Sequence, residues 1–187
     1  KWDTMVDMAT MGFGYISGGE GLTVTNNYIA GGRQALRVSG FSSAQVSGNT
    51  IFGNLSTVFL DTAPGASLSW DSNTYFDNSA LDPTGAHYSF NYNQATNRWG
   101  SGILAYDESS TNMGKGWRQW TGFDSHSSYS VGKPTGLKVF VRPNAWEQGR
   151  AHVAIFNWGQ ASTVSINLSS SGLLDGDPFE IRDVQNY

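Results

Sequence analysis

One short phrase, written three times between Leu22 and Asp77, limits what this chain can fold into. Leu22-Thr-Val24-Thr-Asn-Asn27-Tyr-Ile29 returns as Ala44-Gln-Val46-Ser-Gly-Asn49-Thr-Ile51 and again as Leu68-Ser-Trp70-Asp-Ser-Asn73-Thr-Tyr75. Aligned on the asparagine, the copies lie 22 and then 24 residues apart. A period of this size points to stacked units, and the two-residue alternation within each copy makes those units strands, not helices.

A second strand recurs out of step with the first. Phe13-Gly-Tyr15-Ile16, Ala35-Leu36-Arg37-Val38 and Thr57-Val58-Phe59-Leu60 each precede a polar or glycine-containing turn. Two or three short strands in 22–24 residues is the size of one coil of a right-handed parallel β-helix, whose strands lie over their counterparts above and below. Asn27, Asn49 and Asn73 are then expected to stack as a ladder at one corner. There the side-chain amide bonds its neighbour, and asparagine tolerates the left-handed turn conformation.

Composition agrees with an all-β chain. The 187 residues include 23 Gly and 5 Pro, with 14% charged, a balance that argues against disorder and coiled coil. The formal charge is -4 and Lys and Arg are not clustered, so a nucleic-acid partner is not expected. No apolar run approaches 20 residues, the length a membrane-crossing helix needs. With no Cys, the chain has no disulfide, thiolate metal site or cysteine nucleophile. It opens on Lys1-Trp2-Asp3 and reads as a piece of something longer.

The stretch Leu22–Asn78 resembles the parallel β-helix repeats of pectate-lyase-like and periplasmic copper-protein-like carbohydrate-associated proteins. Residues 1–12, with Trp2, Met5, Val6 and Met8, would cover the first end or form a further, degenerate coil. From Ser79 the periodicity is lost, and Trp117-Arg-Gln-Trp120-Thr-Gly-Phe-Asp124-Ser-His126-Ser-Ser-Tyr129 resembles a W…TGxDxxS segment that follows the last coil in bacterial β-helix proteins. The resemblance implies a segment laid along the helix, leading to a C-terminal β-rich cap. Past Pro134 the pattern turns antiparallel, with strands read at Leu137–Val141, Ala151–Trp158, Thr163–Leu168 and Phe179–Val184. The expected domains are coils over 1–78, an irregular aromatic-rich segment over 79–133, and an antiparallel β-sandwich or meander over 134–187. No segment reads as a helix.

The residues that could carry chemistry are few. There is no GxSxG, phosphate-binding glycine loop or HExxH, and His87, His126 and His152 lack metal-ligand spacing. Asp61, Asp71, Asp77, Asp107, Glu108 and Asp124 supply carboxylates, but sequence alone sets no distances between them. Arg33 and Arg37 are the basic residues of the coils; a spacing of four places them on one strand face, where they could bind uronate carboxylates. No cofactor is implied, and a structural calcium ion stays open.

Aromatic residues give the stronger signal, because sugar rings stack their C–H faces on exposed rings. Seven Trp and eight Tyr accompany few charges. Trp70 and Tyr75 replace aliphatic residues of the repeat and are expected in the core, with Trp158 at a sandwich edge. Tyr92, Trp99, Trp117, Trp120 and above all Trp146 are the expected ligand contacts, with Arg33, Arg37 and Asp61. The sequons Asn54-Leu-Ser56 and Asn167-Leu-Ser169 read as chance matches.

These readings favour a secreted, non-catalytic module that binds a plant or cell-wall polysaccharide, xylan- or pectin-like. A covalently linked catalytic domain or further N-terminal coils would be its partners, with no nucleic acid and no membrane. Two alternatives stand beside it: the distal part of a β-helix lyase or glycosidase acting on uronate-containing glycans, with Asp61 or Arg33 in its groove, and a structural segment of an adhesin or tail-spike.

Overall fold

The computed structural model describes residues 9–13, 19–32, 34–62, 65–79, 89–94, 103–107 and 116–183. The chain divides into two compact units, Lys1–Pro134 and Thr135–Tyr187. In the first unit β1 (Ala9–Phe13) is followed by three triplets of strands. These are β2 (Leu22–Thr25), β3 (Tyr28–Ala30) and β4 (Gln34–Ser39); then β5 (Ser43–Ser47), β6 (Thr50–Gly53) and β7 (Ser56–Thr62); then β8 (Ser67–Asp71), β9 (Thr74–Asp77) and β10 (Phe90–Gln94). β11 (Ile103–Leu104), helix α1 (Trp117–Thr121) and β12 (Ser128–Val131) complete it.

Each triplet stacks on the next. Three sheets result, ordered β2-β5-β8, β3-β6-β9-β12 and β1-β4-β7-β10-β11, and every pairing in them is parallel except β10 with β11. The fold is all-β in character, with one α-helix, of five residues, among the described residues. Each repeated phrase is thus two strands with the asparagine corner between them. The first strand of the β4 sheet is Ala9–Phe13; Tyr15 and Ile16, expected in it, lie outside the described residues.

The corner is a continuous hydrogen-bond ladder. Asn27 N–H donates to Asn49 Oδ1 at 2.9 Å and Asn49 N–H to Asn73 Oδ1 at 3.0 Å. The side-chain amides follow the same path, Asn27 Nδ2 to Asn49 Oδ1 at 3.1 Å and Asn49 Nδ2 to Asn73 Oδ1 at 3.0 Å. Asn49 and Asn73 also reach back one repeat, to the carbonyls of Val24 and Val46. The left-handed residue is the one before each ladder asparagine: Asn26, Gly48 and Ser72 have φ of 56°, 68° and 59°. The turn therefore needs φ > 0 one position earlier than asparagine preference suggests, leaving the ladder asparagine free to point inward.

Register explains the core. Val24 lies over Val46 and Trp70; Ile29 over Ile51, Tyr75 and Tyr129; Leu36 over Val58 and Phe90; Val38 over Leu60 and Tyr92. At every one of these inward positions an aliphatic side chain gives way to an aromatic one in the last repeat. Those rings meet Tyr106, Trp117 and Phe123: Trp117 sits 5.4 Å from Phe90, 5.7 Å from Trp70 and 6.0 Å from Tyr92, centroid to centroid. Tyr106 stacks on Tyr129 at 4.8 Å. The surplus of aromatic residues thus plugs one end of the stack.

The segment after β9 departs from the expected irregular course. It returns strands to two of the repeat sheets, and α1 carries the fully buried Trp117 into the plug. Gly116 begins the helix under a tight constraint, since a Cβ there would collide with the Asp107 carbonyl. The second unit holds β13 (Leu137–Pro143) paired antiparallel with β14 (Ala151–Asn157), and a 3-10 turn at Ser169–Ser171. The expected strands at Thr163–Leu168 and 179–183 are not formed; both runs are irregular. Ile166 and Leu168 keep the alternating burial of a strand without ladder bonds, so this unit is a hairpin with an irregular tail, not a sandwich.

Burial of a whole indole sets the first expectation. Trp117→Ala should cost about 3–5 kcal/mol of stability, the scale of emptying an aromatic core position, whereas Trp146→Ala should stay within about 0.5 kcal/mol, as exposed substitutions do. Urea unfolding of both variants checks the contrast.

Candidate functional site

Outward-facing residues of the stacked sheets are where a ligand can be met, because inward positions are filled by core. On the β4-β7-β10 sheet, Arg37 pairs in register with Phe59 and Phe59 with Asn91. Two residues along, on the same face, Ser39 pairs with Asp61. The Arg37 guanidinium carbon lies 4.6 Å from the centre of the Phe59 ring, and its Nε donates to Ser39 Oγ at 3.3 Å. The ring and the bond to serine together hold the guanidinium over Phe59. A cation, an aromatic face, an amide and a carboxylate thus share one surface, on strands about 4.8 Å apart.

Asp71 and His126 form a second exposed group, at the far edge of the β2-β5-β8 sheet. His126 donates its backbone N–H to Asp71 Oδ1 at 2.7 Å, and its Nδ1 lies 2.7 Å from Asp71 Oδ2. These bonds from His126, side chain first, hold the Asp71 carboxyl at about 2, below its ordinary range. Ser125 Oγ lies 3.1 Å from the same Nδ1 and 3.3 Å from Asp71 Oδ2. Carboxylate and hydroxyl both occupy Nδ1, whereas a serine nucleophile would have to sit on Nε2 with the carboxylate opposite. The group therefore works as a clasp between β8 and the segment after α1.

Two further carboxylates are sealed inside. Asp124 accepts from Trp117 Nε1 at 2.7 Å, Ser127 Oγ at 2.5 Å, Tyr75 OH at 3.0 and 3.1 Å, and Asn73 Nδ2 at 3.4 Å. Burial raises its pKa, and these donors, Ser127 foremost, pull the other way without cancelling the rise. Tyr75, which also accepts from Trp70 Nε1 at 2.8 Å, is pushed far up by burial and then by the Asp124 charge. Asp77 accepts from Ser79 N–H at 2.8 Å, from Tyr129 OH at 3.1 Å and from Ser89 Oγ. Burial and the Asp77 charge push Tyr129 up in turn. With no exposure, both aspartates hold the fold together and neither can touch a ligand.

The residues singled out from sequence separate clearly. Trp146, in the β13–β14 turn, is 95% exposed, as its place in a turn leads one to expect. Arg37 and Asp61 project from one face, as described. Tyr92 and Trp117 are corrected: both are buried in the aromatic plug, because Tyr92 occupies the inward position of Leu60 and α1 turns Trp117 inward. Trp120 is partly buried against the same core. Arg33 and Trp99 lie outside the described residues. Trp70 and Tyr75 are in the core, at 2% and 0% exposure. His152 is exposed on β14. Asp107 forms a surface ion pair with Arg118 at 3.1 Å, of a kind that contributes little. Phe59 and Asn91 were missed, and only the strand register, which places them beside Arg37, could have found them. Among the described residues no group of three or more His, Asp or Glu could hold a metal ion.

Compared with family models, curated proteins and solved structures, the chain matches none of them.

Two expectations follow from the carboxylates. Asp124→Asn places amide hydrogens against indole and hydroxyl donors, so it should lose about 1–3 kcal/mol, the cost of buried unmade bonds, read by denaturant unfolding. The Asp71 contribution runs with pH as a depressed carboxylate must: complete above the ordinary value of 3.8 and lost as pH falls toward about 2. Thermal midpoints between those limits should fall less steeply in Asp71→Asn than in the parent chain.

Proposed function

We propose that this chain is a secreted, non-catalytic carbohydrate-binding module, built on a right-handed parallel β-helix, that takes a plant or cell-wall polysaccharide of xylan or pectin type. The reading rests on the outer face of the β4-β7-β10 sheet, where Arg37, Phe59, Asn91 and Asp61 are brought together. Sugar hydroxyls are recognised by fixed hydrogen-bonding side chains, and this surface offers a guanidinium held over the Phe59 ring together with an amide and a carboxylate. Strands in parallel register repeat such contacts at about 4.8 Å, a step comparable with one sugar unit. Three strands per repeat, pairing in parallel with counterparts 22–25 residues on, and 32 on where β7 meets β10, support the β-helix. Trp146 supplies a separate exposed ring in the second unit. No helix among the described residues is long and apolar enough to cross a membrane.

Calorimetric titration with neutral xylan and cellulose oligosaccharides tests the reading. Binding should weaken about fivefold or more in Arg37→Ala, the scale of losing one hydrogen bond to the ligand, and Asp61→Asn should weaken it in the same direction. Absence of heat with every oligosaccharide would refute a glycan site on this face.

A further inference from the structure

The second unit lacks an interior of its own. Among its described residues Ser171 alone is buried, and no apolar side chain is fully enclosed. Its one sheet among those residues is the β13–β14 hairpin. A two-stranded hairpin is marginal in water until one of its faces is packed against something.

Register gives the hairpin such a face. Val139 lies opposite Ile155 and Val141 opposite Val153. Val153 and Ile155 are 37% and 45% exposed, and they open onto a groove of about 640 Å³ that Ile166, Leu168 and Leu173 also line. Phe179 and Ile181, 63% and 79% exposed, stand along the same groove. Hairpin and tail thus turn aliphatic and aromatic side chains to one opening, and among the described residues no second layer covers them. A contiguous apolar surface of this kind marks a place where a partner sits.

Charge around the groove points to the partner. Glu147 pairs with Arg150 and Glu180 with Arg182, each at 2.9 Å, and all four residues line the groove. The rim therefore carries two carboxylates and two guanidiniums, although the chain as a whole has a net charge of -4. A rim of one sign would repel its own copy. A rim of alternating sign can meet itself about a two-fold axis, acid to base.

We propose that this face joins two copies of the chain, the hairpin and tail of one molecule packing on those of the other. Two small sheets then lie face to face as a sandwich, and each copy supplies the layer that the other lacks. A partner of unrelated sequence would suit the apolar floor as well, but it gives no reason for the rim to balance its charges. The contact does not use Arg37, so it holds or fails independently of the glycan reading.

Sedimentation of the full chain over a series of concentrations tests the proposal. The 20.3 kDa chain should behave as a dimer of twice that mass and dissociate on dilution. Val153→Lys combined with Ile155→Lys should weaken the dimer about tenfold or more, because the paired faces would then bring like charges together. A second pair of variants reads the rim. One carries Glu147→Lys with Glu180→Lys, and the other Arg150→Glu with Arg182→Glu. Each alone should dimerise about tenfold or more weakly, and an equimolar mixture of the two should restore pairing. All the altered side chains are exposed, and circular dichroism confirms that each variant is folded. The proposal is overturned by a chain that stays monomeric at every concentration, which would leave the groove to a partner of other sequence. It is overturned equally by a dimer that keeps its strength in either set of variants. Growth into larger species would also overturn it, since a closed two-fold contact stops at two.

Discussion

A primary amide can donate two hydrogen bonds and accept two, and the first unit depends on a side chain that does all four at once. Asn49 donates to the Val24 carbonyl and to Asn73, and accepts both the backbone and the side-chain N–H of Asn27. Buried polar atoms with no partner cost more than a made bond returns, so a fully satisfied amide fixes register more sharply than apolar contact does. A slip of one repeat would preserve most valine-on-valine packing. A slip of one residue would break the ladder and turn every inward side chain outward.

Around that corner the interior changes character along its length. Aliphatic side chains fill the middle of the stack, and their positions in the last repeat belong to Trp70, Tyr75, Phe90 and Tyr92. Aliphatic side chains suffice where another repeat covers them. At the end, larger rings reach out to Trp117 and Tyr106 and fill the volume that a further repeat would occupy. The aromatic content that looks from sequence like a ligand surface is largely spent here. Tyr92 and Trp117 were therefore misjudged for the same reason that Trp70 and Tyr75 were judged well. The latter stand in an alignable repeat, where an inward position can be recognised. Tyr92 lies past a long insertion, and Trp117 in a helix with no repeat to compare.

Local spacing made the corner asparagines, the parallel strands and the β13–β14 hairpin legible, since each is written as alternation within a few residues. β10 and β12 were hidden because their partners lie 32 and 54 residues away, off the period of the repeats, and β11 because a two-residue strand carries no alternation. The run Thr163–Leu168 shows the converse: it alternates like a strand, yet no neighbour offers it a ladder, and alternation alone does not make one. Of the outer face, the sequence showed Arg37 and Asp61 as the charged exceptions in a repeat. It could not show that Phe59 lies beneath the guanidinium, which requires the register between β4 and β7.

A ladder in which each rung offers the next what it received from the last has no built-in length; it is a polymer, and needs a terminator. Ser127 fills that role. It stands in register after Asn73, and its hydroxyl accepts the Asn73 N–H at 2.7 Å just as an asparagine oxygen would. A hydroxyl has a single proton, however, and this one is given sideways to Asp124. Nothing is left to hand on. One change of functional group, from amide to alcohol, thus ends the ladder on this side, much as a chain-stopping monomer caps a synthetic polymer.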